Sequence, residues 1–146
     1  MLCDKNDSMM FVTLLYGIYD PASGEFTYAN AGHNSPVILH PDKSCSMLPL
    51  TGGVAIGVMP DLEYQQNTIT LAPGDTLSLY TDGVTEAMNE NKEELGEKRF
   101  FDILKGASSG EPEIITRAIF DGIKAFAGDA PQSDDITCLT IHRSAN

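Results

Sequence analysis

Residues 11–19 read F-V-T-L-L-Y-G-I-Y, apolar at both alternating positions and rich in β-branched and aromatic side chains. That pattern predicts a central strand covered on two faces. Asp20-Pro21-Ala22-Ser23-Gly24 then supplies turn chemistry before residues 25–29 resume strand alternation, so the two segments predict an antiparallel hairpin. Asn30-Ala31-Gly32-His33-Asn34 breaks the pattern. Short strands are expected at residues 36–40 and 46–50 around the Pro41-Asp42-Lys43 turn, and at 66–71 and 75–81, joined by Ala72-Pro73-Gly74 in a type II turn.

The period changes after Thr81. Residues 98–105 predict a short helix, and Ile114, Ile115, Ala118, Ile119, Gly122, Ile123 and Phe126 recur at helical spacing between Pro112 and Gly128. Residues 136–142 alternate again as a last strand. Strands first, then helices, then one returning strand points to an antiparallel-sheet α+β fold rather than a βαβ fold. No internal repeat and no linker divides the chain, so residues 1–146 are expected to form a single domain.

Composition narrows the class of function. The chain is 42% hydrophobic, enough for a real core, and nine Lys+Arg against twenty-one Asp+Glu leave a formal charge of −12. Such a surface repels phosphate backbones and anionic lipid, which argues against nucleic-acid and membrane-surface partners. The longest apolar-rich stretch, residues 9–19, is shorter than the ~20 residues of a spanning helix, and the polar, acidic beginning is unlike a signal peptide. Cys3, Cys45 and Cys138 are odd in number and contain no Cys-x-x-Cys pair, which fits neutral thiols in a reducing cytoplasm. The glycine-rich loop at residues 52–57 lacks the Gly-Lys-Ser/Thr ending of a phosphate cradle. It either borders a substrate groove or is a tight loop between strands.

Candidate chemistry lies at two strand ends. Asp82, followed by Gly83, ends the strand at 75–81, and Asp134-Asp135 precede the strand at 136–142. If those strands are antiparallel neighbours, the carboxylates converge on one rim. Crowded carboxylates call for a cation, and hard oxygen donors suit Mg²⁺ or Mn²⁺. Solvated turn residues are the alternative reading of the same positions.

L-Y-T-D-G-V-T-E-A (residues 79–87) and Q-S-D-D-I-T (132–137) together resemble the two C-terminal motifs of the metal-dependent protein phosphatases, in the bacterial branch of SpoIIE and RsbU. Residues 11–36, including N-A-G-H-N-S-P, and I-G-V-M-P-D (56–61) match the same branch in the same order. The resemblance implies a protein phosphatase 2C-like antiparallel β-sandwich with flanking helices. It also implies a serine/threonine phosphatase using a two-ion Mn²⁺ or Mg²⁺ centre, with Asp82, Asp134, Gly83 and Asp135 at the metal site. Asp82 and Asp134 match the ligands, and Asp135 stands where many members have Asn. His33 replaces an Asp of animal relatives; it either ligates or shuttles a proton, or orients its loop through backbone hydrogen bonds. Glu86 is expected to be a solvated acid.

Family members carry further metal ligands and two helices ahead of the strand that residues 11–19 match. Residues 2–4 resemble the tail of the second helix, so the chain resembles the C-terminal two-thirds of a SpoIIE-type domain. That implies an inactive chain in isolation, poorly buried apolar residues in the 11–19 region, and self-association as a homodimer. The substrate implied is a phosphorylated bacterial regulatory protein such as an anti-sigma-factor antagonist, with a sensor or receiver domain upstream and a cytoplasmic location. A non-catalytic phosphatase-like module that binds a signalling partner is the rival reading.

Overall fold

The Asp20 carboxylate accepts hydrogen bonds from the Ala22 N–H at 2.9 Å and the Ser23 hydroxyl at 3.0 Å. These donors hold the Asp20 carboxyl below its ordinary range. Gly24 completes the turn with φ +79°, a conformation that favours glycine. On either side run β1 (Leu14–Tyr19) and β2 (Glu25–Ala31), antiparallel with Tyr16 opposite Ala29, the hairpin expected from the sequence.

The computed structural model describes residues 6, 8–107 and 110–145. They fall into two units, one running up to Ser35 with Pro49–Leu71, the other comprising Pro36–Leu48 and Ala72 onward. In the first unit, β1, β2 and β5 (Gln66–Thr70) form an antiparallel sheet in the order β1-β2-β5. Phe26, Tyr28 and Asn30 on one face of β2 are buried, and the Phe26 and Tyr28 rings stack with centroids 5.6 Å apart. The Phe26 ring fills the space where a Cβ on Gly17 would stand, which explains a glycine inside an apolar strand.

β1 corrects the expectation of a covered central strand. It lies at the edge of its sheet, with Leu14 45%, Tyr16 62% and Ile18 61% exposed. Alternation reports that both faces of a strand are apolar but not which neighbours cover them. The exposure agrees with the expectation, drawn from the family resemblance, of poor burial in this region.

The second unit holds β3 (Val37–Leu39), β4 (Cys45–Met47), β6 (Thr76–Tyr80) and β7 (Cys138–His142), antiparallel in the order β4-β3-β6-β7. Although consecutive, β5 and β6 belong to different sheets. The helices are α1 (Asp82–Thr85), α2 (Gly96–Gly106) and α3 (Pro112–Ala127), the last opened by Pro112 and followed by Gly128 at φ +61°. Val37, Leu39 and Tyr80 of the sheet share a buried core with Val84, Phe100, Leu104, Ile115 and Ile119 of the helices. Each such side chain contributes ~1.5–3 kcal/mol by leaving water. The Tyr80 and Phe100 rings meet at 4.5 Å, and Arg99 lies 5.0 Å over the Phe126 ring.

Asp75 and His40 are paired where they anchor strands of this unit, whereas the buried Ser78 hydroxyl in β6 has no hydrogen-bond partner among the described residues. Asp75 accepts the Ala72 N–H at 2.7 Å and meets His40 Nδ1 at 2.8 Å, while His40 Nε2 meets the Ser46 hydroxyl at 2.9 Å. Cys45 and Cys138 are free and half-buried, and burial pushes both thiols up, as expected for neutral cysteines. Cys3 and the stretch 2–4 lie outside the described residues. No helix among the described residues is long and apolar enough to cross a membrane.

Candidate active site

β6 ends at Tyr80, β7 begins at Cys138, and the two are antiparallel neighbours with those residues opposite each other. Thr81 extends the pairing: its N–H donates to the Thr137 carbonyl at 3.1 Å. Its hydroxyl donates to the Asp135 carbonyl at 2.9 Å and accepts the Thr137 N–H at 3.0 Å. One side chain thus clasps the 134–137 segment to the residue just before Asp82. A Cβ added at Gly83 would lie 2.5 Å from the Asp135 carbonyl oxygen and 3.4 Å from the Asp134 carbonyl carbon. Glycine is therefore required here by close backbone approach rather than by its φ.

Asp82 and Asp134 are oriented alike. Asp82 Oδ1 accepts the Gly83 N–H at 3.0 Å, and Asp134 Oδ1 accepts the Asp135 N–H at 2.7 Å. Gln132 Nε2 donates to the Asp134 carbonyl at 2.7 Å, and the Ser133 hydroxyl donates to the Glu86 carbonyl at 3.3 Å. Asp82, Asp134, Asp135 and Glu86 are all exposed. These contacts tie the two acidic segments together at one end of the β6–β7 pair.

The oxygen donors are of the hard kind that Mg²⁺ and Mn²⁺ take. Among the described residues, no group of three or more His, Cys, Asp or Glu side chains converges to hold an ion. Asp82 and Asp134 offer carboxylate oxygens of the chemistry such an ion takes.

In the other unit, Asn30 provides the backbone hydrogen bonds to the loop that one of the two sequence readings gave to the His33 ring. Asn30 is 4% exposed; its Oδ1 accepts the His33 N–H at 2.7 Å and its Nδ2 donates to the His33 carbonyl at 2.8 Å. The His33 ring meets the Thr13 hydroxyl at 3.1 Å through Nδ1. Side-chain amides that bond the backbone a few residues on are a known turn device, so N-A-G-H held a signal for Asn30 as well as for His33. The loop at 52–57 is tight: Gly52 and Gly57 have φ +78° and +98°, and a Cβ at Gly53 would collide with the Asn30 carbonyl. Positive φ accounts for Gly52 and Gly57, and close backbone approach for Gly53.

The family model for stage II sporulation protein E (SpoIIE) matches residues 1–144. The chain belongs to the SpoIIE family. Over 141 residues it is 34% identical to Protein IcfG of Synechocystis sp., covering 97% of this chain and 22% of IcfG. It is 37% identical over 86 residues to the phosphoserine phosphatase RsbU of Bacillus subtilis, covering 58% of this chain and 25% of RsbU. The chain thus spans about a quarter or less of the length of these relatives. The fold is shared with the PP2C phosphatase domain and regulatory-domain fragment of Bacillus subtilis SpoIIE, with TM-score 0.75, 18% identity, and coverage of 92% of this chain and 39% of that one. This SpoIIE-family chain has the PP2C-like α+β architecture that the sequence resemblance implied.

Proposed function

We propose that the chain carries part of the catalytic centre of a protein serine/threonine phosphatase acting on a phosphorylated bacterial regulatory protein, such as an anti-sigma-factor antagonist, under the control of a sensor or receiver domain. The observation that supports this most is the Thr81 clasp, which ties the Asp134–Asp135 segment to the residue preceding Asp82. Asp82 and Asp134 would hold Mn²⁺ or Mg²⁺, with Asp135 beside them and Gly83 providing the close approach. When bound, such ions generate a hydroxide nucleophile at neutral pH and neutralise charge on the transferring phosphoryl group. In the hydrolysis, a water oxygen bonds to phosphorus, the bond from phosphorus to the serine or threonine oxygen breaks, and that oxygen takes up a proton.

The chain's own residues do the positioning. The Gly83 and Asp135 N–H groups each engage one oxygen of the preceding carboxylate. Preorganised donors of this kind spare reorganisation during reaction. A second reading, a non-catalytic module that binds a signalling partner, draws on the lack of a group of three metal-binding side chains among the described residues.

Mn²⁺-dependent hydrolysis of an aryl phosphate by the intact protein tests the proposal. Asp82→Asn and Asp134→Asn are each expected to lower the rate at least about a hundredfold, since each removes a charged ligand, while leaving the thermal unfolding midpoint near that of the unsubstituted protein. Unsubstituted rates in both variants would remove these residues from the catalytic centre. An intact protein that binds Mn²⁺ yet turns over nothing would favour the binding module.

A further inference from the structure

The second unit contains a solvent-open groove of about 340 Å³ bordered by the 87–88 segment, the C-terminal half of α3 and the 130–136 segment. Its apolar lining includes Met88, Phe120, Ile123, Ala127 and Ile136. Phe120 is 43% and Met88 38% exposed, so apolar surface faces water inside a concavity. A groove of this size holds several waters, and an apolar lining offers them few hydrogen-bond partners. An apolar group entering it displaces poorly held water.

Two features of the walls choose the occupant. Gln132 and Ser133 line the groove, and Asp134 is the next residue, one Cα step of ~3.8 Å away. Ala87 and Met88 follow directly on Glu86, whose carbonyl receives the Ser133 hydroxyl. The groove is therefore continuous with the segments that carry the candidate carboxylates. A phosphoserine presented at Asp134 extends its neighbours by at most ~3.3–3.6 Å per residue, which brings a side chain a few positions away over the groove. A second copy of the chain is the poorer fit, since stable interfaces bury ~800 Å² per partner over broad patches.

We propose that this groove is a specificity subsite that receives an apolar side chain flanking the phosphorylated residue of the protein substrate, with Phe120 as its principal contact. The proposal rests on the phosphatase reading above and adds the substrate feature that the site selects. Asp121 and Lys124 also line the groove and give it a polar margin, so the pocket discriminates chiefly by apolar contact.

The test uses the intact protein with Mn²⁺ and a series of phosphoserine peptides flanked by glycine, in which one leucine is moved through positions −4 to +4. An aryl phosphate serves as the reference substrate. Leucine at one position is expected to raise kcat/KM roughly tenfold or more through KM, the scale set by burying one such side chain. Phe120→Ala is expected to abolish that gain while leaving the glycine-only peptide and the aryl phosphate unchanged. Met88→Ala gives a second, independent reading of the same groove. A flat leucine series alongside normal aryl phosphate turnover would overturn the subsite and leave the phosphatase reading intact. Equal loss on all substrates in Phe120→Ala and Met88→Ala would also overturn it, because a selective pocket spares a substrate that does not fill it. Absence of turnover on every substrate would remove the phosphatase reading and the subsite together.

Discussion

Tyr80 stands at the end of β6 with its ring against Phe100, 3% exposed, and burial, reinforced by Glu97, pushes its phenol up to about 12. An unfolded chain releases the same proton near pH ~10. Between these values the native state binds more protons than the unfolded state, so stability falls as pH rises through that window and is fully present below it. A single such group contributes a slope of at most about 1.4 kcal/mol per pH unit. Urea unfolding measured from pH 9 to pH 12 is expected to show this loss, and Tyr80→Phe to make the dependence shallower. An equally steep loss in the variant would assign the effect to other groups. The neighbouring Thr81 illustrates a different role for a strand-end residue, since its hydroxyl both donates and accepts across the two acidic segments. A valine there would keep the β-branched shape and lose both bonds.

At the scale of elements, α2 and α3 approach closely because Gly122 has no side chain. A Cβ there would lie 2.6–2.7 Å from Ile103 Cδ1 and Cγ1 and 3.1 Å from Cγ2. Ile103 is β-branched and stiff at χ1, so it yields little. Overpacking of this kind outweighs the gain of replacing a helical glycine and costs ~1–3 kcal/mol. Gly122→Val is expected to lower the urea midpoint accordingly, and Ile103→Ala in the same chain to recover part of the loss. Additive effects in that double-mutant cycle would mean that the two residues do not meet.

At the scale of the whole molecule, two effects oppose each other. Phe11, Val12, Leu14, Tyr16 and Ile18 are 45–62% exposed in and beside the edge strand β1, and an apolar strand edge is a template for pairing with another chain. A net charge of −12 keeps copies apart. Salt screens the second effect within ~8–10 Å at ordinary ionic strength and leaves the first in place. The 146-residue chain is therefore expected to be mostly monomeric in dilute buffer and to associate, as a two-fold dimer, when salt is raised at micromolar concentration. Sedimentation velocity across a salt series reads this directly, and Tyr16→Lys with Ile18→Lys is expected to hold the chain monomeric. A monomer at every salt concentration would show that the exposed edge does not drive assembly.

The residue pattern alone determined the existence and order of the strands, the Asp20–Gly24 hairpin turn, the helix between Pro112 and Gly128, and the placing of Asp82 and Asp134 at strand ends. Each depends on periodicity, capping or turn chemistry within a few residues, and that information is local. The resemblance of T-D-G and S-D-D to a family's motifs added the chemistry that such exposed carboxylates do not declare by themselves. Only the tertiary structure decided that β1 is an edge, that β5 and β6 part into different sheets after a turn that would also serve a hairpin, and that Asn30 rather than His33 holds its loop. It alone showed the Thr81 hydroxyl bonded to residues more than fifty positions away. Those outcomes depend on which distant segments become neighbours, and a pattern of apolar and polar positions specifies that a face is to be buried without specifying what buries it.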